Sequence, residues 1–293
     1  MQKNLTARQP FIFHTTVRSH GWWQLVPFHY METTGLLTYI LRLSSGKVVD
    51  LHIREAPGGV SVETATLTQS EQDELICLIT WMLDLDRDLS AFYAVARREP
   101  KLAHVEQKAC GRVLRSPTFF EDVVRTILTT NTLWAATKRM TTNLVDQFGE
   151  SLKTDASQKA FPTPNRLAAA TEAQLRIETR LGYRAPYILE LAQRESSGEL
   201  NLEAYKTSNL PTLQMRKELM KIKGIGAYAA ANLLMLLGRS DFIPLDSWAL
   251  KMVSHEWYDG QPVTPAQVEA AFEKWAEFKG LAYWFWNWSY TGS

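Results

Sequence analysis

Residues 219–250, LMKIKGIGAYAAANLLMLLGRSDFIPLDSWAL, hold the reading that decides the fold. Apolar residues at helical spacing lead to Lys223, two glycines follow as Gly224-Ile225-Gly226, and a second apolar helix opens at Ala227. Glycines between helical runs make a tight turn in which positive φ carries no steric cost. The N–H groups that open the second helix lack an intrahelical acceptor and can face an anion. With no side chain at either glycine, a phosphate can come within hydrogen-bond range of the main chain. About twenty residues further on, behind Pro244, stands Asp246, a carboxylate placed to do chemistry beside whatever the turn holds. The plainer alternative is a glycine C-cap, an ordinary core helix, and Asp246 as the N-cap of the next helix.

Bulk properties narrow the class. A chain of 293 residues has room for two or three packed modules. Its 45% hydrophobic and 22% charged residues are those of a globular protein. No apolar run reaches the length of a membrane span, and Met1–Pro10 carries no signal-peptide pattern, so a cytoplasmic protein with no membrane partner is expected. The net charge of +1 offers no general basic field, so any nucleic-acid face must be a local patch. Cys77 and Cys110, the two cysteines, cannot supply a four-thiolate zinc site or iron–sulfur cluster. His14, His20, His29, His52, His104 and His255 show no metal spacing. No metal site is expected from these residues.

The organisation is α+β. Residues 1–67 read as an antiparallel β domain with four or five strands. The candidates are FIFHTTVR (11–18), WWQLVPFHY (22–30), LLTYILRLS (36–44), KVVDLHIRE (47–55) and GVSVETA (59–65), separated by hairpin turn residues. Residues 68–293 read as mostly α-helical. TQSEQDELICLITWMLDLD opens on a Ser/Thr cap with apolar spacing at Leu75, Leu78, Ile79 and Met82. SPTFFEDVVRT opens on a capping-box signature, Thr118 with Glu121, and carries the stripe Phe120, Val123, Val124, Ile127 and Leu128. Thr129-Thr130-Asn131-Thr132 then breaks the helical pattern.

The hairpin KIKGIGAYAAANLL and the loop IPLDSWALK together resemble the helix-hairpin-helix DNA glycosylases of the HhH-GPD superfamily. The resemblance is specific from about Leu114 to Leu250. A β domain ahead of helices is the layout of 3-methyladenine DNA glycosylase II and of the 8-oxoguanine DNA glycosylases. The resemblance implies two helical subdomains flanking a cleft for DNA and the flipped base. It also implies a monomer that binds double-stranded DNA containing damaged bases. Asp246 matches the catalytic Asp. Bifunctional members carry a Lys where Tyr228 stands, and a phenol cannot form an imine, so a monofunctional enzyme of base excision repair is expected. Alkylated purines are the favoured substrate.

By the same resemblance Tyr228, Asn232, Trp248, Trp286 and Tyr290 line the base pocket. Lys223, Gly224, Gly226, Ala227 and Lys251 meet phosphate. The turn carries the residue that fills the space left by a flipped base, with Asn131 and Leu133 both open as that wedge. Leu181-Gly182-Tyr183-Arg184-Ala185 resembles a stretch whose Tyr wedges beside the estranged base and whose Arg bonds it. A second Arg that reads an opposite cytosine falls on Ala136, which weakens the case for 8-oxoguanine. No cofactor and no iron–sulfur cluster are expected; a monovalent cation on hairpin carbonyls is permitted. Plainer readings stand beside each: Asn131 as a turn cap, Arg184 as a solvated charge, and the aromatic run Leu281–Trp288 as core. The rival outside this class is a DNA-binding module without catalysis.

Overall fold

The computed structural model of the protein describes residues 1–289. Its strands are β1 (Gln2–Thr6), β2 (Phe28–Met31), β3 (Leu36–Arg42), β4 (Val48–Ala56), β5 (Gly59–Glu63), β6 (Ser151–Leu152) and β7 (Asp155–Lys159). The helices begin with α1 (Phe13–Val17), α2 (Gln69–Met82), α3 (Ser90–Ala96), α4 (His104–Gln107), α5 (Phe119–Thr129), α6 (Trp134–Phe148) and α7 (Pro164–Ala168). They continue with α8 (Glu172–Ile177), α9 (Ala185–Ser196), α10 (Thr212–Leu219), α11 (Ala227–Leu236), α12 (Ser247–Trp257), α13 (Pro265–Ala271) and α14 (Lys279–Trp284). No described helix is long and apolar enough to cross a membrane. Two compact units form, one from Met1–Arg87 with Arg112–Ser208, the other from Asp88–Gly111 with the chain from Asn209 onward.

The first unit holds an antiparallel sheet in the order β1-β5-β4-β3-β2. Alternation along β4 buries Val49, Leu51 and Ile53 opposite Leu41, Tyr39 and Leu37 of β3. Gly59 is required where β5 starts, because a Cβ there would lie 2.0 Å from Leu5 O of β1. Two expectations fail in this sheet. Phe13–Val17 is a helix, since its buried residues Phe13, Thr16 and Val17 follow helical spacing. Trp22 and Trp23 lie in a 3-10 turn, Gly21–Gln24, so that only Phe28–Met31 of the second candidate pairs. The edge strand β1 and the hairpin β6–β7 had no counterpart in the sequence reading.

Helix α5 is buried from Phe119 to Leu128, including Glu121, Asp122 and Arg125. Those polar groups fasten it to the β layer. Tyr39 OH donates to Glu121 Oε2 at 2.7 Å, and Arg125 Nε donates to Glu121 Oε1 at 3.0 Å. Trp22 Nε1 and the Ser116 amide donate to Asp122 Oδ1 at 2.8 and 2.9 Å. The capping box foreseen at α5 is therefore half made. Thr118 accepts from the Glu121 amide, but the Glu121 carboxylate serves Tyr39 and Arg125.

The second unit is built on an aromatic core. Phe92, Tyr93, Leu102 and Val105 pack with Val253, Val268, Phe272, Trp275 and Trp286. The segment 88–111 thus completes a core whose other half comes from the C-terminal helices.

Candidate active site and nucleic-acid interface

Helix α10 ends at Leu219, and the turn closes through Ile222 N to Leu219 O at 3.1 Å and Ile225 N to Ile222 O at 3.0 Å. Gly224 has φ +88°, the left-handed conformation the turn demands. Gly226 does not share it. It is the N-cap of α11 at φ −91°, and a Cβ on it would meet nothing within 4 Å. Its missing side chain leaves open space instead of relieving strain. Helix α11 has no side-chain cap, so the amides of its first turn, beginning at Ala227, keep their donors for an outside acceptor. Lys223 and Lys251 are exposed, the first in the turn and the second in α12. Lys221 is tied to Glu218 by bonds of 2.8 and 2.7 Å.

Asp246 is the N-cap of α12, and its Oδ1 accepts from the Ala249 amide at 2.8 Å. The plainer local reading of Asp246 is thus correct, and it fixes the carboxylate on a helix end without burying it. Asp246 is exposed, and Trp248, two residues on, is 45% exposed. Tyr228 stands half-buried in the first turn of α11. Its phenol is pushed up from the usual tyrosine range by burial and then by the negative charge of Asp246, with Asn232 pulling it partly back. Asn232 also donates to Tyr228 O at 3.1 Å.

Tyr283 of α14 joins this group. It is 7% exposed and packs edge-on against Phe272 at 5.7 Å. Burial raises it far above the usual range, helped by Asp246 and Tyr228. Both phenols are therefore neutral donors at physiological pH. Sequence reasoning placed Tyr283 in the aromatic run but did not single it out. Trp286, which was singled out, is core. It is 7% exposed among Trp257 at 5.1 Å, Trp275 at 5.2 Å and Phe272 at 5.5 Å. Tyr283, three residues earlier, belongs to the same buried cluster. Tyr290 lies outside the described residues. No group of described His, Cys, Asp and Glu residues could hold a metal ion.

The remaining candidates belong to the first unit. Between α5 and α6, Thr130 is extended, Asn131 adopts φ +47°, and Leu133 is 80% exposed. Asn131 is exposed, and α6 has no side-chain cap, so Asn131 is not its capping residue. Tyr183 is 47% exposed in a 3-10 turn, Gly182–Arg184. Arg184 differs from expectation. It is 6% exposed, and the bonds it makes are to main-chain carbonyls of the 127–131 stretch, so its fork is occupied within the protein.

The HhH-GPD superfamily base excision DNA repair protein model matches residues 124–278. DNA-3-methyladenine glycosylase of Bacillus subtilis is 29% identical over 175 residues, which covers 59% of this chain and 57% of that protein. The chain spans just over half the length of the curated relatives it matches. Among solved structures, 3-methyladenine DNA glycosylase from Archaeoglobus fulgidus gives a TM-score of 0.77 at 19% identity, covering 97% of each chain. The 8-oxoguanine glycosylase/lyase of Clostridium acetobutylicum in its apo-form gives 0.69 at 23% identity, covering 91% of this chain and 92% of that one. At such identities these two likenesses concern the fold.

Proposed function

The chain belongs to the HhH-GPD superfamily of base excision DNA repair proteins, and from that premise we propose that it is a monofunctional DNA glycosylase. It acts as a single chain on duplex DNA and removes a damaged purine, an alkylated one in the favoured case. The observation that carries this reading is the make-up of the group around Asp246. A helix-end carboxylate stands exposed at the start of α12, and the position after the hairpin that could hold an amine holds Tyr228, whose phenol the charge of Asp246 helps to keep neutral.

The chemistry follows from those groups. The N-glycosidic bond breaks with its electron pair leaving on the purine. Positive charge then develops on the sugar, and the Asp246 carboxylate stabilises it. Water adds at C1′ and gives up a proton to Asp246 or to solvent. With Tyr228 where an amine would attack C1′, the products are a free base and an abasic site in an unbroken strand. An alkylated purine carries positive charge and leaves readily. The faces of Trp248 and Tyr228 favour it by about 0.5–2 kcal/mol each where they stack.

The opening amides of α11, with Gly224, Gly226, Lys223 and Lys251, hold the backbone. A monovalent cation, if bound, takes main-chain oxygens of the same turn, and the reaction does not depend on it. Asn131 or Leu133 fills the vacated place in the stack, with Tyr183 beside it.

End-labelled duplexes carrying 7-methylguanine, 3-methyladenine, hypoxanthine or 8-oxoguanine, each assayed with and without alkali, test the proposal. Release of methylpurine with strand breaks only after alkali is expected. Asp246→Asn should lower base release at least about a hundredfold while duplex binding stays as it was. Cleavage at 8-oxoguanine without alkali points to a lyase nucleophile and overturns the role given to Tyr228. Salt-dependent binding with no base released leaves a DNA-binding module.

A further inference from the structure

Everything Arg184 is seen to bond lies at the end of one helix. Its Nε donates to Ile127 O at 3.3 Å, and its Nη2 donates to Thr130 O and, at 3.4 Å, to Asn131 O. Ile127 belongs to α5, and Thr130 is its C-cap. The last carbonyls of a helix have no intrahelical donor and carry the negative end of its dipole. The chain then leaves α5 abruptly. Thr130 is extended at φ −71° and ψ 132°, Asn131 is left-handed at φ +47°, and Leu133 follows at 80% exposure. A left-handed non-glycine residue and a solvent-facing leucine are not arrangements that apolar burial selects. Polar bonds hold this turn: Thr130 donates to Ile127 O from its amide at 3.2 Å and from Oγ1 at 2.8 Å, Thr137 Oγ1 donates to Leu128 O at 3.1 Å, and Arg184 reaches the same stretch from outside it. Tyr183 is tied in at the same place: its hydroxyl donates to Thr130 O at 3.4 Å, and the Arg184 guanidinium lies 4.4 Å from its ring centre.

We propose that Arg184 is the positioning residue of the wedge and reads no base. It clamps the carbonyls of Ile127, Thr130 and Asn131, so the 130–133 turn and the Tyr183 ring form one stiff piece before DNA arrives. The purpose of that piece rests on the glycosylase reading; its geometry does not. A side chain pushed into a base stack must resist the stack, and a turn that first has to be ordered loses that ordering entropy from the binding. A guanidinium suits the task because its planar fork reaches several carbonyls at once, where an ammonium is a single point of charge. The bonds also account for the burial of this cation.

Two measurements test the clamp, using the full chain and the variants Arg184→Met, Arg184→Lys, Asn131→Ala and Leu133→Ala. The first is amide hydrogen exchange in the protein without DNA. Arg184→Met should speed exchange at the Thr130 amide, which donates to Ile127 O at 3.2 Å, by about tenfold or more while β3 and β4 stay unchanged. The second is the fluorescence of 2-aminopurine placed next to an abasic-site analogue, with each of the four bases opposite the analogue. The signal produced by wedge entry should fall by the same factor for every opposite base, and Arg184→Lys should restore part of it. In the background of whichever wedge variant lowers the signal, Arg184→Met should cost nothing further, as expected for two residues acting through one event.

Unchanged exchange at Thr130, or a loss confined to one opposite base, overturns the proposal. Asp246→Asn should leave both readouts at the parent level. If the parent protein releases no base while the exchange result stands, the glycosylase reading fails and the clamp remains.

Discussion

Gly226 is the residue at which fold and function come apart most cleanly. Its φ of −91° is open to any amino acid, and no described atom lies within 4 Å of where a Cβ would be. Gly226→Ala should therefore change stability by no more than about 0.5 kcal/mol, because nothing is crowded and no positive φ is forced. A methyl group there would occupy open space at the start of α11 through which a phosphate would approach, so affinity for duplex DNA should fall and its salt dependence should weaken. A binding isotherm as tight as the parent's would remove Gly226 from the phosphate site. Gly224, at φ +88°, is the control: alanine there meets backbone strain of about 1–2 kcal/mol. Both glycines and Asp246 were legible in the sequence because turns and caps are punctuated locally. The inward fork of Arg184 was not, since it depends on a partner element far away in the chain.

At the scale of elements, α5 shows what a local signature conveys. Thr118 was readable as its N-cap and accepts from the Glu121 amide at 3.3 Å. A second cap was not readable: Glu203 Oε1 accepts from the Phe119 amide at 2.6 Å and the Phe120 amide at 3.4 Å. Thr118→Ala should cost about 1 kcal/mol of stability. Glu203→Ala should cost more, since two amides lose their acceptor together with an anion at the positive helix end. Urea denaturation of the two variants decides this; a loss at Thr118 alone would mean that water replaces Glu203. The misread elements have common causes. QKNLT of β1 pairs along one edge only and is mostly exposed, so no apolar alternation marks it as a strand. DASQK of β7 is likewise exposed and polar. FHTTV of α1 has β-forming composition, and tertiary burial of Phe13, Thr16 and Val17 overrides it.

Across the molecule, two groups near the start of α5, half-buried His20 and buried Asp122, make stability respond to pH in two opposed ways. His20 donates from Nε2 to Leu114 O at 2.6 Å, and burial lowers its pKa to about 4. The folded state refuses a proton that the unfolded chain accepts, so this contribution is complete above about 6.5 and is lost as pH falls towards 4. Burial raises Asp122 to about 7. Its contribution is complete below the unfolded carboxylate range near 3.8 and is lost as pH rises through 7. The two slopes oppose each other between about 4 and 6.5. Asp122→Asn should leave stability rising with pH across that window by up to about 1.4 kcal/mol per unit, and His20→Gln should reverse the sign. Parallel stability–pH curves for parent and variants would show that neither group is coupled to folding.

The division of the chain carries a consequence for its manufacture. The first unit has all its residues once Ser208 has been made, but the second owns a segment, Asp88–Gly111, that precedes most of its own helices by a hundred residues or so. A ribosome delivers Phe92 and Tyr93 well before the rings they pack with, Phe272, Trp275 and Trp286. Until those rings are made the two aromatics lack half of their core, and the nascent chain exposes apolar surface. The hazard of misassembly is thus set by the order of synthesis, and slowing elongation between Ser208 and Phe272 should lengthen it.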